Sequence, residues 1–395
     1  MASINIIVPI FNQRDLLEQC VSSVLSAHSE TKHHLTLIDD ASTDVGMHEL
    51  LSDLSKNPKV DYLRNSHNLG FTKTANIGLQ LHRTWHPLLL NSDTVVYDNW
   101  LDAMLETLTE HPKVASVNPM TNQNGSHISC YPFQFWAEPD PLILSHRDFA
   151  KIAYEACGKL SCEVHTTVGF CMLLNRRCLD EVGKFDPVWF PRGYGEESDF
   201  CYRSRHLGWK HYIAAGAFVT HLHVKSFGRE KERLKKSMLP NFRRLHPTQP
   251  VRDREFCETD PLRLIRGKLD LARCKSRLAG LSEMAVAHAD ADNVPYLKID
   301  TQQSNDVFLS DPIDDLGFPN IGPYTLPDQI IELVYDLASI GIRSLQFPAG
   351  YAPAIRCAEL VRLIYSPVEL ACRISNYKLV FSGSLLESQL NLDKL

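Results

Sequence analysis

Three short stretches of this chain crowd together groups able to move protons or hold metal ions. Residues 87 to 96 read PLLLNSDTVV, an apolar run that halts at Asn91, Ser92 and Asp93. A carboxylate there can share a hard divalent cation with a bound diphosphate, because such ions take carboxylate oxygen together with substrate phosphates. Capping of the following turn accounts for the same tetrapeptide equally well. In GYGEESDFCYR, Glu196, Glu197 and Asp199 place three carboxylates within four positions at a helix start. The helix dipole relieves part of their repulsion, and Asp199 can pair with Arg203 one turn on. A carboxylate left out of such pairing is a competent general base. A solvated helix start is the plainer reading, against which the glycines and aromatics of PVWFPRGYG point to a cleft loop. The third stretch is VTHLHVKSFG, whose His221 and His223 share one face of an extended chain. One histidine with Asp93 and phosphate oxygens suits Mn²⁺ or Mg²⁺, whereas zinc asks for further nitrogen or sulfur ligands. For either histidine alone, a hydrogen-bonded structural role is the commoner outcome.

These groups need elements that carry them to one place. The first third alternates short apolar runs with amphipathic ones: INIIVPIF (4–11), then a segment whose Leu17, Cys20, Val21, Val24 and Leu25 recur at helical spacing. HLTLIDD, VDYLRN, PLLLNSD and VASVNPM read as further strands, separated by helical HELLSDLSKN, TKTANIGLQLH and DNWLDAMLETLTEH. Such alternation predicts an α/β fold with a mostly parallel sheet and helices on both faces. Ligands of open sheets gather outside the carboxyl ends of the strands. Asn12, the Asp39–Asp40 pair and Asn91 to Asp93 all fall at such ends, so the sheet would deliver them to a common rim. A second block over 165–228 reads as strand TTVGFCMLLN, helix RRCLDEVG, the loop FDPVWFPRGYG, helix EESDFCYRSRHLG and strand HYIAAGAFVTH. Texture changes after Phe227, where a basic helical run from Arg229 to Lys236 begins, and α/β character returns in the last hundred residues. The expected division is a domain over 1–240 and an accessory α/β module over 241–395.

Composition narrows the function. At 395 residues and 44% hydrophobic content the chain can bury one large core plus a second module. A net charge of -6 supplies no long-range attraction to polyanions and argues against nucleic acid as partner. The N-terminal MASINIIVPIF lacks a charged leader with a signal-type apolar stretch, and no run approaches the roughly 18 apolar residues of a spanning helix. The expectation is a cytoplasmic protein, with peripheral membrane association left open by the basic run, although Glu230 and Glu232 dilute that run. Eleven cysteines without CxxC pairs suggest neither a disulfide framework nor a zinc ribbon.

In order along the chain, IIVPIFNQRDLLEQCVSSVL, LIDDASTD, NLGFTKTANIG, LLLNSDTVV, VGFCMLLNRRCLDEVGKFD, GYGEESDFCYR and HLHVKSFG resemble the family-two inverting glycosyltransferases of GT-A fold, in particular their rhamnosyltransferase-like branch. The resemblance spans about residues 3–228. It implies that Pro9 and Phe11 line a base pocket, with Asn12 at its edge, and that Asp40, ahead of Asp39, hydrogen-bonds a uracil or thymine. Asn68, Gly70 and Asn76 would pass beside the nucleotide, with Lys73 near phosphate and Ser92 within the NSD turn; turn and capping chemistry is the alternative. Asp93 matches the last acid of the family's Asp-x-Asp metal motif, with Asn91 replacing the first. His221, ahead of His223, matches the histidine that reaches the metal and diphosphate from the far side. Glu197 takes the catalytic-base position, flanked by Glu196 and Asp199, and it adds a methylene to the Asp usual there.

The resemblance implies direct displacement with inversion, aided by Mn²⁺ or Mg²⁺, from a UDP- or dTDP-sugar to a carbohydrate, lipid-linked or protein acceptor in polysaccharide or glycoconjugate biosynthesis. The Asn91 and Glu197 departures keep a second reading open, a catalytically silent nucleotide-sugar binder acting through its C-terminal module. Sugar, linkage, homo-oligomerisation and the role of 241–395 are not legible in the sequence.

Overall fold

The computed structural model describes residues 3–122, 128–131, 145–222 and 238–259, scattered positions from 261 to 272, and six strands between 298 and 381. Two compact units divide the chain: one holds residues 1–137 and 145–262, the other residues 138–144 and 263–395.

The first unit is built on an eight-stranded sheet. Its strands are β1 (Ile4–Ile10), β2 (His33–Asp39), β3 (Val60–Arg64), β4 (His86–Leu90), β6 (Val114–Met120), β7 (Ser161–Val164), β8 (Cys171–Leu174) and β9 (Lys210–Phe218). They lie in the order β3-β2-β1-β4-β8-β6-β9-β7. The pairs β1–β2, β2–β3, β1–β4 and β6–β9 are parallel, while β8 runs against β4 and β6, and β7 against β9. A mostly parallel sheet is therefore present, as the alternating pattern predicts. A short pair, β5 (Thr94–Val95) with β10 (Thr220–His221), forms a separate antiparallel ribbon.

Helices cover both faces because the strands are apolar on both. Along β1, Ile4, Ile6, Val8 and Ile10 pack with α1 (Arg14–Ser26), α2 (Met47–Leu54) and α4 (Trp100–Glu110), whereas Ile7 packs with α3 (Phe71–Gly78), α6 (Arg176–Val182) and α7 (Glu196–His206). This is the period-two alternation of a strand between two helix layers. Full burial of each such side chain contributes about 1.5–3 kcal/mol. Another helix, α5 (His146–Cys157), starts on Ser145, whose hydroxyl accepts from Asp148 N at 3.1 Å.

Several boundaries differ from those read in the sequence. PLLLNSD is strand only to Leu90, and Asn91–Asp93 turn into β5. TTVGFCMLLN contributes only β8, and HYIAAGAFVTH breaks between β9 and β10. The first unit also extends to Leu262, past the change of texture, since helix Gln249–Thr259 packs back on it: His165 Nε2 lies 2.8 Å from Asp253 Oδ1.

In the second unit, Lys298–Asp300, Asp306–Ser310 and Ile321–Thr325 form one antiparallel sheet. A second joins Ser344–Phe347, Leu370–Ile374 and Tyr377–Phe381, its first pair parallel. The basic run and His223 lie outside the described residues.

Candidate functional site

Because β1 to β4 are parallel, their carboxyl ends open on one rim, where Ile10 pairs with Asp39 and Asp39 with Arg64. Antiparallel β8 starts at that rim, since Leu90 pairs with Cys171. The residues entering β8, Gly169 and Phe170, therefore stand beside the NSD turn, and Phe170 O accepts from Asn91 N at 2.7 Å.

That dipeptide joins the three distant stretches. Phe170 stacks on His221 with ring centroids 5.2 Å apart, and His221 Nε2 lies 3.1 Å from Asp93 Oδ1. On the other side, a Cβ built on Gly169 would stand 3.8 Å from Cβ and Cγ of Glu197. Asp93, His221 and Glu197 thus share one neighbourhood. The β5–β10 ribbon fixes the first two, pairing Thr94 with His221, and Leu222 N donates to Asp93 O at 2.8 Å. Asn122 clamps the His221 backbone from both sides, at 2.8 and 3.2 Å. Among the described residues no third histidine, cysteine or acid joins this pair in a metal-sized cluster.

The acids of α7 are positioned by an unusual loop. Gly193, Tyr194 and Gly195 all have positive φ, at 89°, 67° and 133°. Two glycines and one strained tyrosine are the cost of the sharp entry to the helix. Its first turn presents Glu196, Glu197 and Asp199. Asp199 is tied down: Arg203 Nε donates to it at 2.7 Å and His246 Nε2 lies 2.9 Å away. Burial works to raise its pKa, but those two partners outweigh burial and hold it below the usual range. Glu196 is 3% exposed, and its Oε2 has no hydrogen-bond partner. Burial, reinforced by the charge of Glu197, pushes its carboxyl well above the usual range. Glu197 is also raised by burial, opposed by hydrogen bonds from its own and neighbouring backbone and from Glu196. Two carboxyls in such contact titrate as a pair, with the proton favoured on Glu196 and the charge on Glu197.

The residues matched to nucleotide binding divide differently. Phe11 is 45% exposed and Pro9 partly so, on the end of β1. Asn12 links loops: its N–H donates to Ser42 Oγ at 2.8 Å and its Oδ1 accepts from Thr43 N at 2.7 Å. Asp39 is fully buried, accepting from Ser42 N at 2.8 Å and from Arg64. Asp40 is 4% exposed and accepts from Asn65 Nδ2, Leu69 N and Gly70 N at 2.8, 2.8 and 2.9 Å. Asn68 Oδ1 accepts from Gly70 N at 3.1 Å, and a Cβ on Gly70 would meet Pro191 O at 2.7 Å. Asn76 is buried and spends both ends of its amide on the Phe185 backbone, at 2.8 and 3.2 Å. Lys73 is exposed, and Asn91 and Ser92 are half-buried in their turn.

Sequence reasoning missed Gly169, Phe170 and His246. Phe170 and Gly169 sit inside the quoted VGFCMLLN, whose apolar pattern announces a strand but not its antiparallel direction; nothing local marks His246 as the partner of Asp199.

Parts of this chain are similar to known glycosyltransferases. The family described as Glycosyl transferase family 2 matches residues 5–183. An uncharacterized glycosyltransferase of Haemophilus influenzae is 24% identical over 116 residues, 29% of this chain and 35% of that protein. The poly-beta-1,6-N-acetyl-D-glucosamine synthase of Staphylococcus epidermidis is 26% identical over 187 residues, 46% of this chain and 42% of that protein. This chain thus spans less than half the length of these curated relatives. A mannosyltransferase from Pyrobaculum calidifontis, solved with GDP-Man and Mn²⁺, aligns at 16% identity and a TM-score of 0.44 over 74% of this chain and 76% of its own. Residues 5–183 of this chain, which carry most of the mostly parallel sheet of the first unit, are thus similar to the family described as Glycosyl transferase family 2.

Proposed function

We propose that the chain is an inverting glycosyltransferase that moves a sugar from a nucleoside diphosphate sugar to an acceptor hydroxyl. The observation that carries this reading is the meeting of Glu197 with the Asp93–His221 pair on either side of Gly169–Phe170. Glu197 takes the proton of the acceptor hydroxyl as its oxygen bonds to the anomeric carbon. The bond from that carbon to phosphate breaks on the opposite face, and the nucleoside diphosphate leaves with its electron pair. Glu196 keeps its own proton and donates to Glu197, which holds the base ionised and aimed.

One carboxylate oxygen and one imidazole nitrogen 3.1 Å apart, with the ring fixed by Phe170, fit a Mn²⁺ or Mg²⁺ ion completed by phosphate oxygens and water. Such an ion would stabilise charge on the departing diphosphate. Asp93 and His221 hold it in this reading, and Phe11 with Pro9 offers an apolar face to a uracil or thymine. The donor is a UDP- or dTDP-sugar and the product a polysaccharide or glycoconjugate. Asp40 orders the 65–70 loop, whose backbone then borders the nucleotide.

Transfer or donor hydrolysis measured with and without Mn²⁺ tests the reading. Expected are dependence on the ion, loss with Asp93→Asn, and loss with Glu197→Gln. Equal turnover by wild type and Glu197→Gln would remove the base. Tight nucleotide binding by calorimetry with no turnover on a broad acceptor panel would favour the silent binder instead, a reading supported by the commitment of Asp40 to its own loop.

A further inference from the structure

The opposite rim, at the amino ends of the parallel strands, carries a second set of metal-capable side chains. His34 stands at the start of β2, Asp61 at the start of β3, and His82 on the connection between α3 and β4. His34 Nε2 and His82 Nε2 lie 3.0 and 3.2 Å from the same oxygen, Asp61 Oδ2. One ligand atom from each residue lies within 4.8 Å of the other two. Around a tetrahedral ion with bonds of about 2.0–2.2 Å, donor atoms stand about 3.3 Å apart. Two of the three edges therefore already approach that spacing.

The surroundings of these side chains favour a cation. His34 Nε2 is closed to solvent and makes no hydrogen bond, although Asp61 Oδ2 is 3.0 Å away. A buried nitrogen whose acidic neighbour is out of hydrogen-bond alignment is under-compensated for its desolvation, and coordination would restore the balance. His82 reaches the cluster through a left-handed backbone, φ 44°, closed by Trp85 N donating to His82 O at 2.8 Å. Histidine is among the side chains that adopt that conformation most readily. The imidazoles of His34 and His82 are 5.1 Å apart, and Trp85 borders both at 6.5 and 5.4 Å. Lys32 Nζ sits over the Trp85 ring, 5.4 Å from its centroid.

We propose that His34, Asp61 and His82 form a binding site for a zinc-class transition metal ion, which clamps edge strand β3 and the α3–β4 connection onto β2. Two imidazoles and a carboxylate select Zn²⁺ and its neighbours over Mg²⁺. The side chain of Asp61 is 52% exposed, which leaves room for a water at the fourth position. This site is independent of the donor rim, since His34 and Asp39 lie at opposite ends of β2, about 17 Å apart along the strand.

The test is calorimetry and thermal unfolding of the metal-free full chain with Zn²⁺, using Mg²⁺ for comparison. One Zn²⁺ should bind and raise Tm by several degrees at about 100 times its Kd, Mg²⁺ should do neither, and Cu²⁺ placed in the same site should quench Trp fluorescence. The Cu²⁺ quenching should disappear in Trp85→Phe. Asp61→Asn and His82→Asn should each weaken Zn²⁺ by more than about tenfold. Asparagine is chosen at 82 because it tolerates the left-handed backbone, so folding is preserved there. Asp93→Asn should leave the Zn²⁺ affinity intact. Absence of Zn²⁺ binding to the wild-type chain overturns the proposal, as does binding that Asp61→Asn and His82→Asn leave unchanged or that Asp93→Asn removes.

Discussion

Two groups of carboxylates in the first unit are treated in opposite ways. Asp39, Asp40 and Asp199 are saturated by protein donors: Ser42 and Arg64 for the first, Asn65, Leu69 and Gly70 for the second, Arg203 and His246 for the third. Glu196 and Glu197 receive far less. Glu196 Oε2 has no hydrogen-bond partner, and Gly195 N reaches Glu197 only at 3.3 Å. A carboxylate whose lone pairs are committed orders a loop or a helix, and at Asp199 the two partners hold proton affinity down. One held against desolvation keeps that affinity, which is what a general base requires.

Breaking the under-paired side should have the largest effect. Glu197→Gln is expected to lower turnover by about 10²–10⁴-fold while leaving nucleotide affinity within a few fold, measured as kcat and KM on a donor-hydrolysis assay. Because burial raises the Glu197 pKa, the acidic limb of kcat/KM should lie above the usual carboxylate range, with activity lost as pH falls through it.

Breaking the saturated side should cost stability first. Asp199→Asn leaves Arg203 and His246 facing a neutral amide and should destabilise by about 3 kcal/mol in urea unfolding at pH 7. The folded-state pKa of Asp199 is depressed, so its contribution is present above the ordinary value of 3.8 and is lost as pH falls through the lower folded value. The gap between wild type and Asp199→Asn should therefore shrink on acidification.

The contrast between the two groups also separates what the sequence could and could not tell. Strand ends and their polar residues were legible because apolar runs stop abruptly, as LTLIDD and PLLLNSD do, and parallel strands must end on one rim. The meeting of Asp93, His221 and Glu197 was legible only through family resemblance, since it depends on β8 entering antiparallel and on Phe170 reaching His221 across 51 positions. Saturation was legible only in part, as the pairing of Asp199 with Arg203 one turn on. Whether Asp40 faces a ligand or its own loop is decided by three donors at 65–70, and the partner of Asp199 that is not on its own helix, His246, lies 47 positions away. The α5 helix and β7 fell in the long stretch 120–165, where no strand-helix alternation announced them.

Asp40→Asn sharpens the comparison at intermediate size. Its amide keeps one acceptor for Asn65 and Leu69 but turns an N–H toward the Gly70 donor, so the 65–70 loop should loosen. A loss of about 2 kcal/mol in unfolding free energy is expected, with faster amide exchange at Leu69 and Gly70 than at β1. Should calorimetry show loss of nucleotide binding with no change in stability or exchange, Asp40 belongs with the ligand-facing acids and the division drawn above fails.

Glu196→Gln should give the smallest effect and the finest discrimination. The native chain holds the Glu196 proton at pH values where an unfolded glutamate, at 4.5, has released it. Its contribution is thus fully present below that value and drains away as pH rises through the higher folded one. Glutamine imitates the protonated side chain at every pH, and its amide still donates to Glu197. Relative to wild type, Glu196→Gln should be near neutral at pH 4.5 and gain on the order of 1 kcal/mol by pH 8, read as a Tm difference that widens with pH. A difference that stays constant across that range would mean that Glu196 is charged in the folded chain, and the proton assigned to the pair would have to be moved onto Glu197.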